Sequence, residues 1–398
     1  MALLIMVFGL FIGSCKKDET TTTTNSYYVS SETKLSLTIA NIRTDLQKFI
    51  PGFNLGSLVT SDVDVQKLVY KTTFKNNSIK ASGLVCFPKN PGNYPILSFQ
   101  NGTITKFTEA PTENIDDETI KMIESVASTG FIVVIPDYIG FGESASLPHP
   151  YLDAKSSNQS ILDMLRAVKE LGNDAKTEAK PTKDLYLFGY SQGGWATLQL
   201  QKSIETNYSS EFNLIASSCG SGPYSLEYMT DYILSKDIYP MPYFFAYVLN
   251  SYSAIGTITN PLSDYFQAPY AAKIPGLFDG MHSGGAINAE LNTQVSSLLT
   301  SDFRTGYSTN SKFAVFKSAI KSNTVEAWSL STPTKLFHGG ADDYIPAGVS
   351  QKMQADFLAK DSNNSKKLEV TIIPGVDHSS AISPVSLLTL SWFLQIKK

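Results

Sequence analysis

The sequence predicts an α/β fold: a mostly parallel sheet of eight strands, flanked by helices on both faces and interrupted late in the chain by a helical insertion. Three observations predict it. Two segments of alternating polarity come first and read as an antiparallel hairpin. Short apolar runs then alternate with longer stretches of helical spacing, and the glycine-rich junction "GYSQGG" joins one of those runs directly to a helix.

Taken in order, "TKLSLTIANIRTDLQKFI" has apolar residues at helical spacing and is ended by Pro51-Gly52. The hairpin follows as "VQKLVYKTTF" and "SIKASGLVCFP" about the turn "KNN", and "YPILSFQNG" reads as a short buried strand. From there helix and strand alternate: "DDETIKMIESVAST", then "FIVVIPDY"; "QSILDMLRAVKELG", then "DLYLFGYS"; "WATLQLQKSIETN", then "FNLIASSCG". The last units are "TKLFHGG", "GVSQKMQADFLAK", "KLEVTIIPG" and "SPVSLLTLSWFLQI". Repeated βα units imply parallel pairing, because each helix carries the chain back to the edge where the next strand starts. Between them, residues 223–324 hold no run of parallel-type strands and read as a helical cap inserted into an α/β domain made of 31–222 and 325–398. Tyr224, Tyr228, Tyr232, Tyr239, Tyr243, Phe244, Phe245 and Tyr247 crowd near the start of the cap. They serve either to pack it onto the sheet or to line an acyl pocket.

Composition excludes several function classes. A chain of 398 residues with net charge −4 and no basic run has no electrostatic footprint for nucleic acid. His149, His282, His338 and His378 are dispersed, and no Cys or His pair has zinc-like spacing, so neither metal nor cofactor is expected. "ALLIMVFGLFIG" is too short for a comfortable membrane span and suits the apolar part of a signal peptide. "IGSC" then places Gly13 and Ser14 before Cys15, which resembles the lipobox of bacterial lipoproteins. That resemblance implies a signal peptide over 1–14, lipidation of Cys15, a polar tether over 15–30, and a lipid-anchored protein of the bacterial cell envelope that meets the membrane only through that anchor. Cys86 and Cys219 are expected as buried free thiols.

The chemistry centres on Ser191. In G-x-S-x-G the serine sits on a sharp strand-to-helix turn, with glycines where side chains would collide with the adjoining strand or helix. A serine hydroxyl needs a base, a group to orient that base, and donors for the oxyanion. The helix that Gly193 and Gly194 open turns its N-terminus towards a developing negative charge and gives the Gln192 N–H a dipole-favoured position, so that N–H is one expected oxyanion donor.

Here the chain resembles the α/β-hydrolase superfamily, whose triad runs Ser, then Asp or Glu, then His. In that order His378, in "IIPGVDHSSA", is the base, since it alone has an acidic candidate at a strand end between itself and Ser191. His338 reads as structural, His149 as lining the pocket, and His282 as part of the cap. "HGGADDYIP" is similar to the superfamily's G-x-x-D-x-x-V-P stretch through Gly339, Asp342, Ile345 and Pro346, which implies Asp342 as the acid over Asp343; Asp377 is expected in solvent. Where relatives carry H-G-x, this chain has Asn101, Gly102 and Thr103, so the resemblance implies the Thr103 N–H as second oxyanion donor. "PDYIGFGES" resembles a structural D-x-x-G-x-G-x-S turn through Asp137, Gly140, Gly142 and Ser144. With "HPY" and "GYSQGG" it points to the secretory-lipase-like branch. The implied function is a serine carboxylic-ester hydrolase acting on a small-molecule or lipid ester through an acyl-enzyme. A serine peptidase on the same machinery and a non-catalytic surface lipoprotein that binds lipid or glycan are the alternatives.

Overall fold

The computed structural model describes residues 26–49, 57–174 and 177–397. Cys15 and the stretch read as a signal peptide lie outside them. Among the described residues no helix is long and apolar enough to cross a membrane.

The eight expected strands form, with a ninth ahead of them, in the order β1-β2-β3-β5-β4-β6-β7-β8-β9. They are β1 (Tyr28–Leu37), β2 (Val63–Phe74), β3 (Asn77–Pro88), β4 (Gly92–Gln100), β5 (Ile132–Pro136), β6 (Ala179–Tyr190), β7 (Asn213–Gly220), β8 (Thr334–Gly339) and β9 (Leu368–Ile373). The first three strands and the β3–β5 pair are antiparallel; every pair from β5 to β9 is parallel.

The extra strand corrects two readings, the count of eight and the single helix over residues 33–50. Leu35 and Leu37 satisfy a strand's alternation as well as a helix's spacing, and the open edge of β2 decides between them by offering unpaired backbone groups. Helix α1 (Ile39–Phe49) starts only after β1 ends, where Asp62 accepts the Ile39 N–H at 2.7 Å. β1 begins at Tyr28, inside the stretch read as tether. The chain there is tied down by the Glu170 carboxylate, which takes the N–H groups of Ser26, Tyr27 and Tyr28.

Strand alternation sends successive side chains to opposite faces. In β5, Ile132 and Val134 join one core and Val133 and Ile135 the other. Helices α3 (Ala154–Gly172) and α4 (Gln192–Ser203) cover the first face; α1, α2 (Glu118–Ser125) and the last helix, Ile382–Ile396, cover the second. Between β7 and β8 the chain is helical, starting with α5 (Leu226–Ser235) and α6 (Pro242–Ala254). Cys86 and Cys219 are buried free thiols.

One buried group makes the fold pH-sensitive. Glu124 in α2 is fully buried, and neither of its carboxylate oxygens has a hydrogen-bond partner among the described residues. Burial pushes its carboxyl up to about 8, nearby Lys121 opposing only in part. The folded state therefore holds a proton that the unfolded chain releases near 4.5, and stability present below that pH is lost as pH rises through about 8. The slope is roughly 1.4 kcal/mol per pH unit inside the window. Glu124→Gln is expected to raise the melting temperature at pH 9 and leave it unchanged at pH 4; an equal shift at both would refute the assignment.

The parallel strands end together. Gln100 pairs with Gly189 and Tyr190 with Gly220, so the loops that leave β4, β6 and β7 emerge at one edge, beside those that leave β8 and β9. In open α/β sheets that edge is where ligands bind.

Candidate active site

Ser191 stands between β6 and α4 with φ 57° and ψ −122°, a conformation that strains any residue with a side chain. The turn closes because its neighbours are glycine: a Cβ on Gly193 would run into the Gln100 carbonyl, and one on Gly189 into the Gly193 carbonyl. A hydrogen bond from the Ser191 N–H to the Gly220 carbonyl, 2.8 Å, holds the turn against β7.

The loops after β8 and β9 bring two more side chains to this serine. His378 Nε2 lies 3.0 Å from Ser191 Oγ, and His378 Nδ1 lies 2.6 Å from Asp342 Oδ2. Asp342 Oδ1 accepts the Tyr344 and Ile345 N–H groups at 3.0 and 2.8 Å. Burial would raise the Asp342 carboxyl, but hydrogen bonding to His338 and His378 outweighs it and holds the group at about 2. Since an ionised carboxylate only accepts, His378 Nδ1 carries its proton towards Asp342 and leaves Nε2 free for the serine hydroxyl.

The other assigned residues are also placed. The loop after β4 passes beside the serine, a Cβ on Gly102 falling 3.9 Å from that of Ser191. Among the described residues neither the Gln192 N–H nor the Thr103 N–H has a protein acceptor. The Thr103 hydroxyl is 2.8 Å from the Tyr151 hydroxyl. Asp343 and Asp377 are exposed, and Asp377 caps the Ser380 N–H instead of meeting the imidazole. Asp137 accepts from Ser82 and Thr112, and Gly142 adopts φ 53° where any Cβ would strike that carboxylate, which makes the turn structural. His282 is half-buried on the cap beside Asp279. His149 is half-buried, its ring nitrogen Nδ1 2.7 Å from the Ile139 carbonyl, and desolvation pulls its imidazole down to about 4. Being neutral and protonated at Nδ1, it accepts at Nε2 from the Gln192 amide, 3.2 Å away.

Sequence reasoning missed the tyrosines that frame the imidazole. Tyr190 and Tyr344 lie on it with ring centroids 5.3 and 5.2 Å away, and the Tyr190 hydroxyl donates to the His378 carbonyl at 2.5 Å. From the cap, Tyr239 donates to the Tyr344 carbonyl at 3.1 Å. The position of Tyr190, next to the serine in "GYSQGG", is its only local signal.

Ser191 opens into two cavities. One, a narrow tunnel of about 50 Å³, runs under the cap and is lined almost wholly by apolar side chains, among them Leu226, Met229, Ile233, Phe245, Val248 and Ile320. The other is a wide cleft of about 540 Å³, lined by Thr103, Asn114, Ser283 and Tyr344 among others, and it includes His378, which the tunnel does not. The cap's aromatic stretch thus divides its work: Tyr239, Phe244 and Phe245 line the tunnel, while Tyr247 stacks between Tyr151 and Phe278.

Residues 106–393 match the model of the secretory lipase family. Among solved structures, the chain is similar to a putative hydrolase from Legionella pneumophila (25% identity, TM-score 0.83, 94% of this chain and 98% of that one). A rice cell wall degrading esterase from Xanthomonas oryzae matches at 24% identity and TM-score 0.79, over 94% of this chain and 97% of that one. Candida antarctica lipase A in its closed state matches at 18% identity and TM-score 0.65, over 94% and 82%. The last two likenesses bear on the fold alone. No curated protein matches the chain.

Proposed function

Because the chain belongs to the secretory lipase family and is a carboxylic-ester hydrolase, we propose that it cleaves its ester through an acyl-enzyme on Ser191, with His378 as base and acid and Asp342 as the orienting carboxylate. The observation that carries the reading is the unbroken line of hydrogen bonds from the Asp342 carboxylate through the imidazole to a serine held at positive φ.

As Ser191 Oγ attacks the ester carbonyl, its proton passes to His378 Nε2, and the imidazolium is stabilised by Asp342. The carbonyl oxygen, now an oxyanion, is met by the Gln192 and Thr103 N–H groups, which have no acceptor to give up among the described residues. Collapse re-forms the carbonyl, breaks the bond to the alcohol oxygen, and returns the proton from Nε2 to that oxygen. Water then repeats the sequence on the acyl-enzyme and releases the acid and Ser191.

This route also assigns the two cavities. The leaving oxygen must lie within reach of His378 Nε2, and His378 borders the cleft but not the tunnel, so the alcohol leaves through the cleft and the acyl chain occupies the tunnel. An apolar tunnel suits an alkyl chain, whose burial is favourable by about 0.8 kcal/mol per CH₂.

A fluorophosphonate probe tests the nucleophile: Ser191 Oγ displaces fluoride from phosphorus, and one equivalent of label is expected on the peptide that contains Ser191. Labelling of another residue in its place, or none, overturns the assignment.

A further inference from the structure

His338, at the end of β8, is fully buried and takes no direct part in the steps above. Its ring has three polar neighbours. Nδ1 lies 2.7 Å from Ser350 Oγ in the helix Gly348–Lys360, Nε2 lies 2.7 Å from the Ile345 carbonyl, and Nε2 is also 3.4 Å from Asp342 Oδ2.

Those partners settle the tautomer. A backbone carbonyl and an ionised carboxylate are acceptors only, so Nε2 must carry hydrogen. In the neutral ring Nδ1 then accepts the Ser350 hydroxyl, which locks the ring's rotation from its other side. Ile345 holds both ends of the arrangement: its carbonyl receives His338, and its N–H donates to Asp342 Oδ1 at 2.8 Å. The carboxylate is therefore enclosed in a short ring of contacts, with Oδ1 on two backbone N–H groups and Oδ2 between two imidazoles.

We propose, resting on the acyl-enzyme reading, that His338 is a positioning residue: its Nε2–H ties down the Ile345 carbonyl and faces Asp342 Oδ2, so that the carboxylate stays aimed at His378. Electrostatics support this, because the contact with His338 is among those that outweigh burial and keep the Asp342 carboxyl low. The titratable groups around the pair are Asp342 and His378 themselves, Tyr239 on the Tyr344 carbonyl and Tyr190 on the His378 carbonyl; Asp343 and Asp377 face solvent. An apolar ring in place of His338 would fill the same space but leave the buried Ile345 carbonyl unpaired, freeing the loop that aims the carboxylate.

His338→Phe and His338→Gln separate positioning from packing, since glutamine retains an N–H near the place of Nε2. On a short p-nitrophenyl ester, His338→Phe is expected to lower kcat by about 10- to 100-fold with KM nearly unchanged. The acid limb of its kcat/KM profile moves to lower pH, as a poorly aimed carboxylate stabilises the imidazolium less. His338→Gln is expected to restore the wild-type acid limb and most of kcat. A folded His338→Phe enzyme with wild-type kcat and acid limb overturns the proposal, as does equal behaviour of the two variants. Should His338→Phe not fold, Ser350→Ala, which unlocks the ring at Nδ1, is expected to cost about 3- to 10-fold in kcat, and wild-type kcat there also overturns it. Ser191→Ala, run alongside, separates the two readings. If it stays active the acyl-enzyme route itself fails; if it is inactive while the His338 variants match wild type, only the positioning role fails.

Discussion

Ser191→Ala and His378→Ala each lower kcat on a short p-nitrophenyl ester by about a million-fold, and the double variant is hardly slower than either. The two side chains act as one unit: without the base the hydroxyl stays protonated, and without the hydroxyl the base has no nucleophile to activate. KM changes little, because most of the lining of the tunnel and of the cleft comes from other residues. Neither substitution should unfold the protein, since both side chains lie at a cavity wall and an alanine in place of the serine meets the same backbone strain. Rate residual to the uncatalysed reaction measures what the oxyanion donors and binding contribute alone. Steady-state kinetics on purified variants decide it, and turnover near wild type in either single variant would remove that residue from the mechanism.

Asp342→Asn costs about ten-thousand-fold in kcat, whereas Asp343→Asn stays within a few-fold of wild type. The geometry of Asp342 explains the size. Its Oδ1 accepts two backbone N–H groups, so the asparagine oxygen must take that side and the amide NH₂ must take the place of Oδ2. That NH₂ then faces His378 Nδ1, which can no longer carry hydrogen towards it. The proton moves to Nε2, which presents a donor to Ser191 where an acceptor is required. Asp343, exposed one residue on, controls no tautomer. Since the Asp342 carboxyl is held at about 2, its own protonation should not shape the activity profile above pH 4. The reverse ranking of the two variants would move the acid by one position.

Legibility of the fold follows from how local each signal is. All eight strands that alternate or run apolar within their own segments are readable, and the hairpin turn read as "KNN" differs only in that Asn77 already pairs with Phe74. β1 is not, because Leu35 and Leu37 fit two periods and only the edge of β2 chooses between them. At the site, Ser191 announces itself through glycines two positions away, and His378 and Asp342 follow from order and a short motif. Tyr190, Tyr344 and the Ile345 tether on His338 carry no such mark, because they act through carbonyls and ring faces that no pattern along the chain records.

Everything written within one turn of chain could thus be read from residue order: the periods of the strands and helices, the glycines that let a strand double back into a helix at Ser191, and the residue types needed for the chemistry. Which of them meet was left to the packed molecule. His378 reaches across 187 residues to Ser191 and across 36 to Asp342 because β6, β8 and β9 run parallel and end at one edge. Likewise, His338 gains a bearing on the carboxylate only when the loop after β8 folds back over it. Periodicity is a property of neighbours along the chain, whereas hydrogen bonding at about 3 Å is a property of neighbours in space, and sheet order is what converts one into the other.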